Sequence, residues 1–91
     1  MITLDTLNLD GENAEDLDTF ADHNDVTDPE LRAQQALEFG VDEATMETLV
    51  DYARTKARAM RFRLSGNILR AGLEESRCET IYSQLPEAIR W

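Results

Sequence analysis

The stretch Val41–Leu85, VDEATMETLVDYARTKARAMRFRLSGNILRAGLEESRCETIYSQL, decides the fold. It reads as a long helix, a tight corner at Ser65-Gly66-Asn67, and a second helix running back. With Asp42 as N-cap after Gly40, residues Met46, Leu49, Val50, Ala53, Ala57, Met60 and Leu64 recur at helical spacing. At about 100° per residue they share a sector of roughly 100°, the width of a core-facing stripe. Two dozen residues at about 1.5 Å each make a rod on the order of 35 Å long. Nearly opposite, Thr55, Ala59 and Phe62 form a shorter apolar face whose small residues admit a neighbouring backbone. Past the corner, Ile68, Ala71, Cys78, Tyr82, Leu85 and Ile89 line one side of the return helix, interrupted by Glu75, while Leu69 and Leu73 point elsewhere. Gly66 suits a left-handed C-cap and Asn67 an N-cap, and Pro86 discourages continuation.

Around the corner, Ala59-x-x-Phe62, Gly66-Asn67-Ile68 and Ala71 resemble the middle of a tetratricopeptide repeat: a small residue, an aromatic, a turn glycine and a following alanine in order. The resemblance covers about 20 residues of a repeat whose period is about 34. Glu75 stands where the repeat wants an aromatic, Pro86 comes late, and no second copy follows at that period. What it implies is an antiparallel helix pair rather than a peptide-binding solenoid. The segments Tyr52-Ala53-Arg54, Lys56–Met60, Cys78–Pro86 and Arg90-Trp91 are also similar to small helical proteins of bacteria and their phages. That resemblance implies no activity and no site residues, and it points toward a phage-encoded protein.

Working outward, the N-terminal side is acidic. Residues 1–51 hold fifteen Asp and Glu against one Arg, a net of −14, and residues 52–91 hold eight Arg and Lys against four Glu, a net of +4. The two halves sum to the overall −10. Such asymmetry implies an internal electrostatic partnership, a partner of opposite sign, or a solubilising tail before an ordinary helical surface. From Tyr52 to Arg63 there are five positive charges and no negative one, with Arg54, Arg58 and Arg61 along one edge of the stripe. Cations at i, i+4 repel unless phosphate, the acidic segment or a partner's carboxylates lie nearby, or their stems simply cover the stripe edge with heads in water.

Residues 1–9 alternate apolar and polar without a strand to pair with, and are expected to form an extended arm. Residues 14–21 carry Leu17, Phe20 and Ala21 on one side, enough for about two turns of helix that form on docking. Asp22-His23-Asn24-Asp25 is expected to break that helix. The sharpest local signal is Thr27-Asp28-Pro29-Glu30: Thr27 as cap, Glu30 three residues on, proline in the first turn. It opens a helix over about 28–39 with Leu31, Ala36, Leu37 and Phe39 inward, ended by Gly40 and laid across the Met46–Leu64 stripe. The expected organisation is an acidic, partly flexible arm over 1–26 and an all-α helical domain over 27–91, built on a hairpin of about 42–64 and 67–85.

Length and composition bound the function. Ninety-one residues make one small domain, and a chain of this size buries only about 60–65% of its unfolded surface, so burial against a second copy or a partner is expected. One cysteine excludes an internal disulfide and suits a reducing, cytoplasmic setting, with Cys78 expected to be a packing residue. No charged leader with an apolar core and no apolar run near about 18 residues occurs, so neither secretion nor membrane spanning is expected. An EF-hand needs alternating oxygen ligands, a sixth-position glycine and a twelfth-position glutamate. No frame starting at Asp16, Asp18, Asp22 or Asp25 meets that, and His23 is alone. No phosphate-cradling loop, metal cluster or nucleophile with a histidine at a family spacing is present, so neither catalysis nor a cofactor is expected.

Three readings follow. The first is a protein-interaction module, most simply a homodimer, acting through helix faces and an acidic surface, such as a phage-encoded inhibitor or adaptor. In that reading Asp16, Asp18, Asp22 and Asp25 imitate a phosphate row toward a basic groove, and Phe62 and the terminal Trp91 are further contact residues. The second is nucleic-acid binding through Arg54, Arg58 and Arg61, with the acidic arm as competitor. The third is a self-assembling structural component pairing hairpins into bundles.

Overall fold

The computed structural model describes residues 13–87, and these form four helices and no strand. They are α1 (Ala14–Asn24), α2 (Pro29–Phe39), α3 (Glu43–Leu64) and α4 (Ile68–Ser83). The protein is all-α, and the expected hairpin is its frame. Asp42 caps α3, its carboxylate accepting from the Thr45 N–H at 2.7 Å. The hydroxyl and N–H of Thr45 hold that carboxyl below its ordinary pKa. At the corner Gly66 has φ of +84°, a conformation only glycine adopts without strain. Asn67 then caps α4 by accepting from the Arg70 N–H at 3.3 Å. The α4 helix ends at Ser83, ahead of the buried Leu85 and of Pro86.

Helix α3 is the axis of the packing: α4 and α1 lie along it, and α2 touches it at fewer points. Pairing between Arg61 and Asp18, and between Arg54 and both Asp22 and Asp25, runs α1 antiparallel to α3. Pairing of Arg63 with Glu75 and of the Tyr52 and Tyr82 rings does the same for α4, on the Thr55, Ala59 and Phe62 side. The core joins Leu17, Phe20 and Ala21 of α1 to Leu49, Ala53 and Ala57 of α3. Both apolar faces of the long helix are therefore covered from within the chain, except at Leu64.

Several expectations are corrected here. The α1 helix runs three residues past 21, through Asp22 and Asn24, because Arg54 neutralises Asp22 and Asp25 and Asn24 Nδ2 bonds back to the Phe20 carbonyl. The cap of α2 is Asp28, one residue later than Thr27. Its carboxylate accepts from the Glu30 N–H at 2.9 Å, beside a proline already set for the first helical position. It is α1 that lies along the stripe, over the second half of α3, whereas α2 touches the bundle through Ala36, Phe39 and Arg32. Leu31 and Leu37, expected inward, are consequently exposed. Leu64 and Ile68, placed on the stripe and on the inner side of α4, also lie open because the corner turns before anything covers them. Ile89, Arg90, Trp91 and the expected arm over 1–9 lie outside the described residues.

Candidate functional site

One flank of α3 changes sign halfway along. Glu43, Glu47 and Asp51 occupy its first half and Arg54, Arg58 and Arg61 its second, all at i, i+3, i+4 or i+7 spacing. The two halves are matched from opposite directions. From α1, Asp22 and Asp25 approach Arg54 at 3.0 and 3.1 Å, and Asp18 pairs with Arg61. From α2, Arg32 reaches Glu47 at 2.9 Å and also donates to the Val26 carbonyl. Burial works against the Arg54 charge, and its two carboxylates outweigh that, so its pKa lies above the ordinary value.

The residues singled out from the sequence as two rival sites thus meet in one seam. Asp18, Asp22 and Asp25 are on Arg54 and Arg61, while Asp16 stays exposed with no ion pair among the described residues. Arg58 leaves the group and turns to α4, 3.6 Å from Glu74, with the Thr55 hydroxyl 3.5 Å away. Phe62 is half-buried beneath the Arg70 guanidinium at 5.7 Å from the ring centroid. Trp91 lies outside the described residues. Exposed pairs of this kind are worth at most about 1 kcal/mol each. Their weight here is in orientation: they decide how α1 lies on α3.

Cys78 is buried on the inner side of α4, and that burial, helped by Glu74 and Glu75, pushes its thiol up to about 11. A thiol so raised is a packing group at neutral pH, since the thiolate is the nucleophile. His23 is exposed near the end of α1, and its carbonyl accepts from Gln35 Nε2 at 2.7 Å. Among the described residues no three His, Cys, Asp or Glu converge to hold a metal ion, and no helix is long and apolar enough to cross a membrane.

The second notable surface is apolar. Leu64, Ile68, Leu69 and Leu73, all within ten residues of the corner, are 87, 59, 80 and 62% exposed. The outward side of α4 continues from there as Leu69, Gly72, Leu73, Ser76, Thr80 and Ser83, with no charged residue on it. Thr80 and Ser83 turn their hydroxyls onto carbonyls of their own helix, at 3.2 and 2.6 Å. Gly72 sits mid-helix, and a Cβ there would meet only open space. An interior helical glycine costs about 1 kcal/mol relative to alanine, and no contact among the described residues requires this one. The uninterrupted 4-3-4-3 spacing of Leu69, Leu73, Ser76, Thr80 and Ser83 was within reach of the sequence, but the periodicity of the inner side drew attention away from it.

No protein-family model, curated protein or solved structure matches this chain.

Proposed function

We propose that this protein is a small, non-catalytic interaction module that pairs with a second copy of itself through the outward face of α4. The observation that supports this most directly is the exposure of Leu64, Ile68, Leu69 and Leu73 around one corner. Together they leave on the order of 400 Å² of apolar surface open, within the roughly 300–600 Å² of the largest patch on a typical monomer, a patch that is often functional. The neighbouring 4-3-4-3 seam is the spacing by which two helices interlock, and Gly72 leaves room for close approach. An intracellular adaptor or inhibitor, phage-encoded as the resemblance suggests, is the form of this reading that fits a chain with one buried thiol.

Sedimentation across a concentration series tests it. The expected result is a concentration-dependent dimer, and a Leu69→Asp, Leu73→Asp variant that sediments as a monomer with unchanged helical content. A wild-type protein that stays monomeric at every concentration overturns self-pairing.

The nucleic-acid reading has less support. Arg54, Arg61 and Arg63 are each already paired with carboxylates of the same chain, so phosphate has to displace them. Salt-sensitive retention of the full chain on duplex or single-stranded DNA is therefore not expected, and finding it would restore that reading.

A further inference from the structure

We infer that the second copy docks parallel and in register, α4 beside α4, with the two corners at the same end of the pair. This rests on the self-pairing proposed above and fixes its symmetry. The flanks of the outward face of α4 carry the first argument. At about 100° per residue, Arg70 and Arg77 lie roughly a quarter-turn to one side of the line through Leu69, Ser76 and Thr80. Glu75 and Glu79 lie roughly a quarter-turn to the other, and all four are exposed. Arg70 sits over the Phe62 ring and Glu75 holds Arg63. Arg77 only approaches Glu74, at 3.6 Å, and Glu79 has no ion pair among the described residues.

A two-fold axis parallel to the helices sets the basic flank of each copy against the acidic flank of the other, as in a parallel coiled coil. Arg77 then stands beside Glu79 of the partner subunit at both edges of the seam, about 3 Å apart along the axis. A two-fold axis across the helices does the reverse. It sets the arginine flank against the same arginine flank and the glutamate flank against itself, and juxtaposed like charges oppose binding. The flanks therefore select the parallel arrangement.

The ends of the face select it independently. Leu64, Ile68, Leu69 and Leu73 crowd the corner end, whereas the far end offers the hydroxyls of Ser76, Thr80 and Ser83. Parallel pairing lays leucine on leucine and hydroxyl beside hydroxyl. Antiparallel pairing with full overlap lays the leucines on Thr80 and Ser83 of the partner subunit. Sliding that pair until the leucines meet leaves an overlap of only about two turns. Gly72, where a Cβ would meet only open space, lets the two axes approach near the leucines. Sixteen residues span about 24 Å of helix. Burying one side of that length on both copies removes on the order of 1,000 Å² in total, the floor for a specific interface, so pairing depends on concentration.

The test is disulfide trapping in full-length chains that carry Cys78→Ala and one new cysteine, Ser76→Cys or Thr80→Cys, both at exposed positions. In a parallel pair each seam position faces its own counterpart. Both variants are therefore expected to form self-linked dimers under mild oxidation, while Asp16→Cys, on the exposed side of α1, stays unlinked. In an antiparallel pair at most one seam position faces itself. Linkage of one seam variant alone, or of neither, in a protein that sediments as a dimer overturns the parallel arrangement and leaves self-pairing standing. Equal linkage of Asp16→Cys reduces the trapping to random collision and overturns it too. A chain that stays monomeric at every concentration overturns both readings and leaves the face to a different partner. Glu79→Arg, which makes both flanks basic, is expected to weaken self-pairing about fivefold, and Arg77→Glu added to it to restore the affinity. An affinity unchanged by Glu79→Arg overturns the selection by charge.

Discussion

Helices α1 and α4 lie on opposite faces of α3, yet they hold on by different means. The eleven-residue α1 inserts large side chains, Leu17 and Phe20, and lines its flank with carboxylates on Arg54 and Arg61. By contrast, α4 comes in over small residues: Ala71 and Cys78 on its own side, Thr55 and Ala59 on α3. Further links are the tilted Tyr52 and Tyr82 rings, 6.3 Å between centroids, the Arg70 guanidinium over Phe62, and ion pairs from Arg58 and Arg63. A three-residue corner also tethers α4, while α1 is joined to α3 only through α2. An isolated helix of α1's length is marginal in water, so α1 exists because it is docked. The difference teaches that anchor size governs one seam and closeness of approach governs the other.

The largest expected effect comes from removing an α1 anchor. Leu17→Ala deletes a fully buried side chain and is expected to cost about 2–5 kcal/mol in urea unfolding. Hydrogen exchange is expected to show α1 amides opening first, with α3 and α4 still protected; equal loss in all helices would erase the contrast. Next comes overfilling of the α4 seam. Ala59→Leu is expected to cost about 1–3 kcal/mol and to expose Cys78 to thiol reagents, while Ala57→Leu, on the stripe side, costs similarly without that exposure. Equal labelling of Cys78 in both variants would contradict the assignment of the two faces.

Smaller effects separate the seams further. Arg54→Ala removes both carboxylate contacts from a partly exposed site, and at most about 1 kcal/mol is expected, shrinking as salt rises. A salt-independent loss would mean that the arginine stem, not its charge, matters. The smallest effect is a pH dependence at Cys78. Its thiol is raised from 9.0 to about 11, so the folded state resists ionisation that the unfolded chain undergoes. The stability tied to it is fully present below pH 9 and declines as pH rises toward 11. A Cys78→Ala variant is expected to lack that decline in alkaline urea titrations.

The hairpin was legible because its signals agree: a seven-residue stripe repeats along one helix, and Asp42, Gly66 and Asn67 each act within a turn of a helix end. The extent of α1 was not, because Asp22 and Asp25 look like helix breakers until Arg54, some thirty positions away, is brought beside them. The inward assignment of Leu31 and Leu37 failed for a related reason. Periodicity gives a face its width but not its target, and α2 reaches the core through Ala36 and Phe39 instead. Asp18, Asp22, Asp25, Arg54 and Arg61 were all picked from the sequence, with their mutual pairing one of several alternatives that the charge pattern alone does not separate. The burial of Asn24, whose Oδ1 accepts no hydrogen bond, had no sequence signal, since it depends on how the helices pack.

The sign change along α3 also acts as a ratchet. Sliding α1 by one turn, about 5.4 Å, toward the start of α3 would carry Asp22 and Asp25 off Arg54 and onto Asp51 and Glu47. Attraction would become repulsion within a single step. Leu17 and Phe20 already hold α1 in register by their bulk, and the charge boundary between Asp51 and Arg54 adds a second penalty against that slip. The alignment of α1 is thereby written twice, in the shape of two anchors and in the sign of the charges beside them.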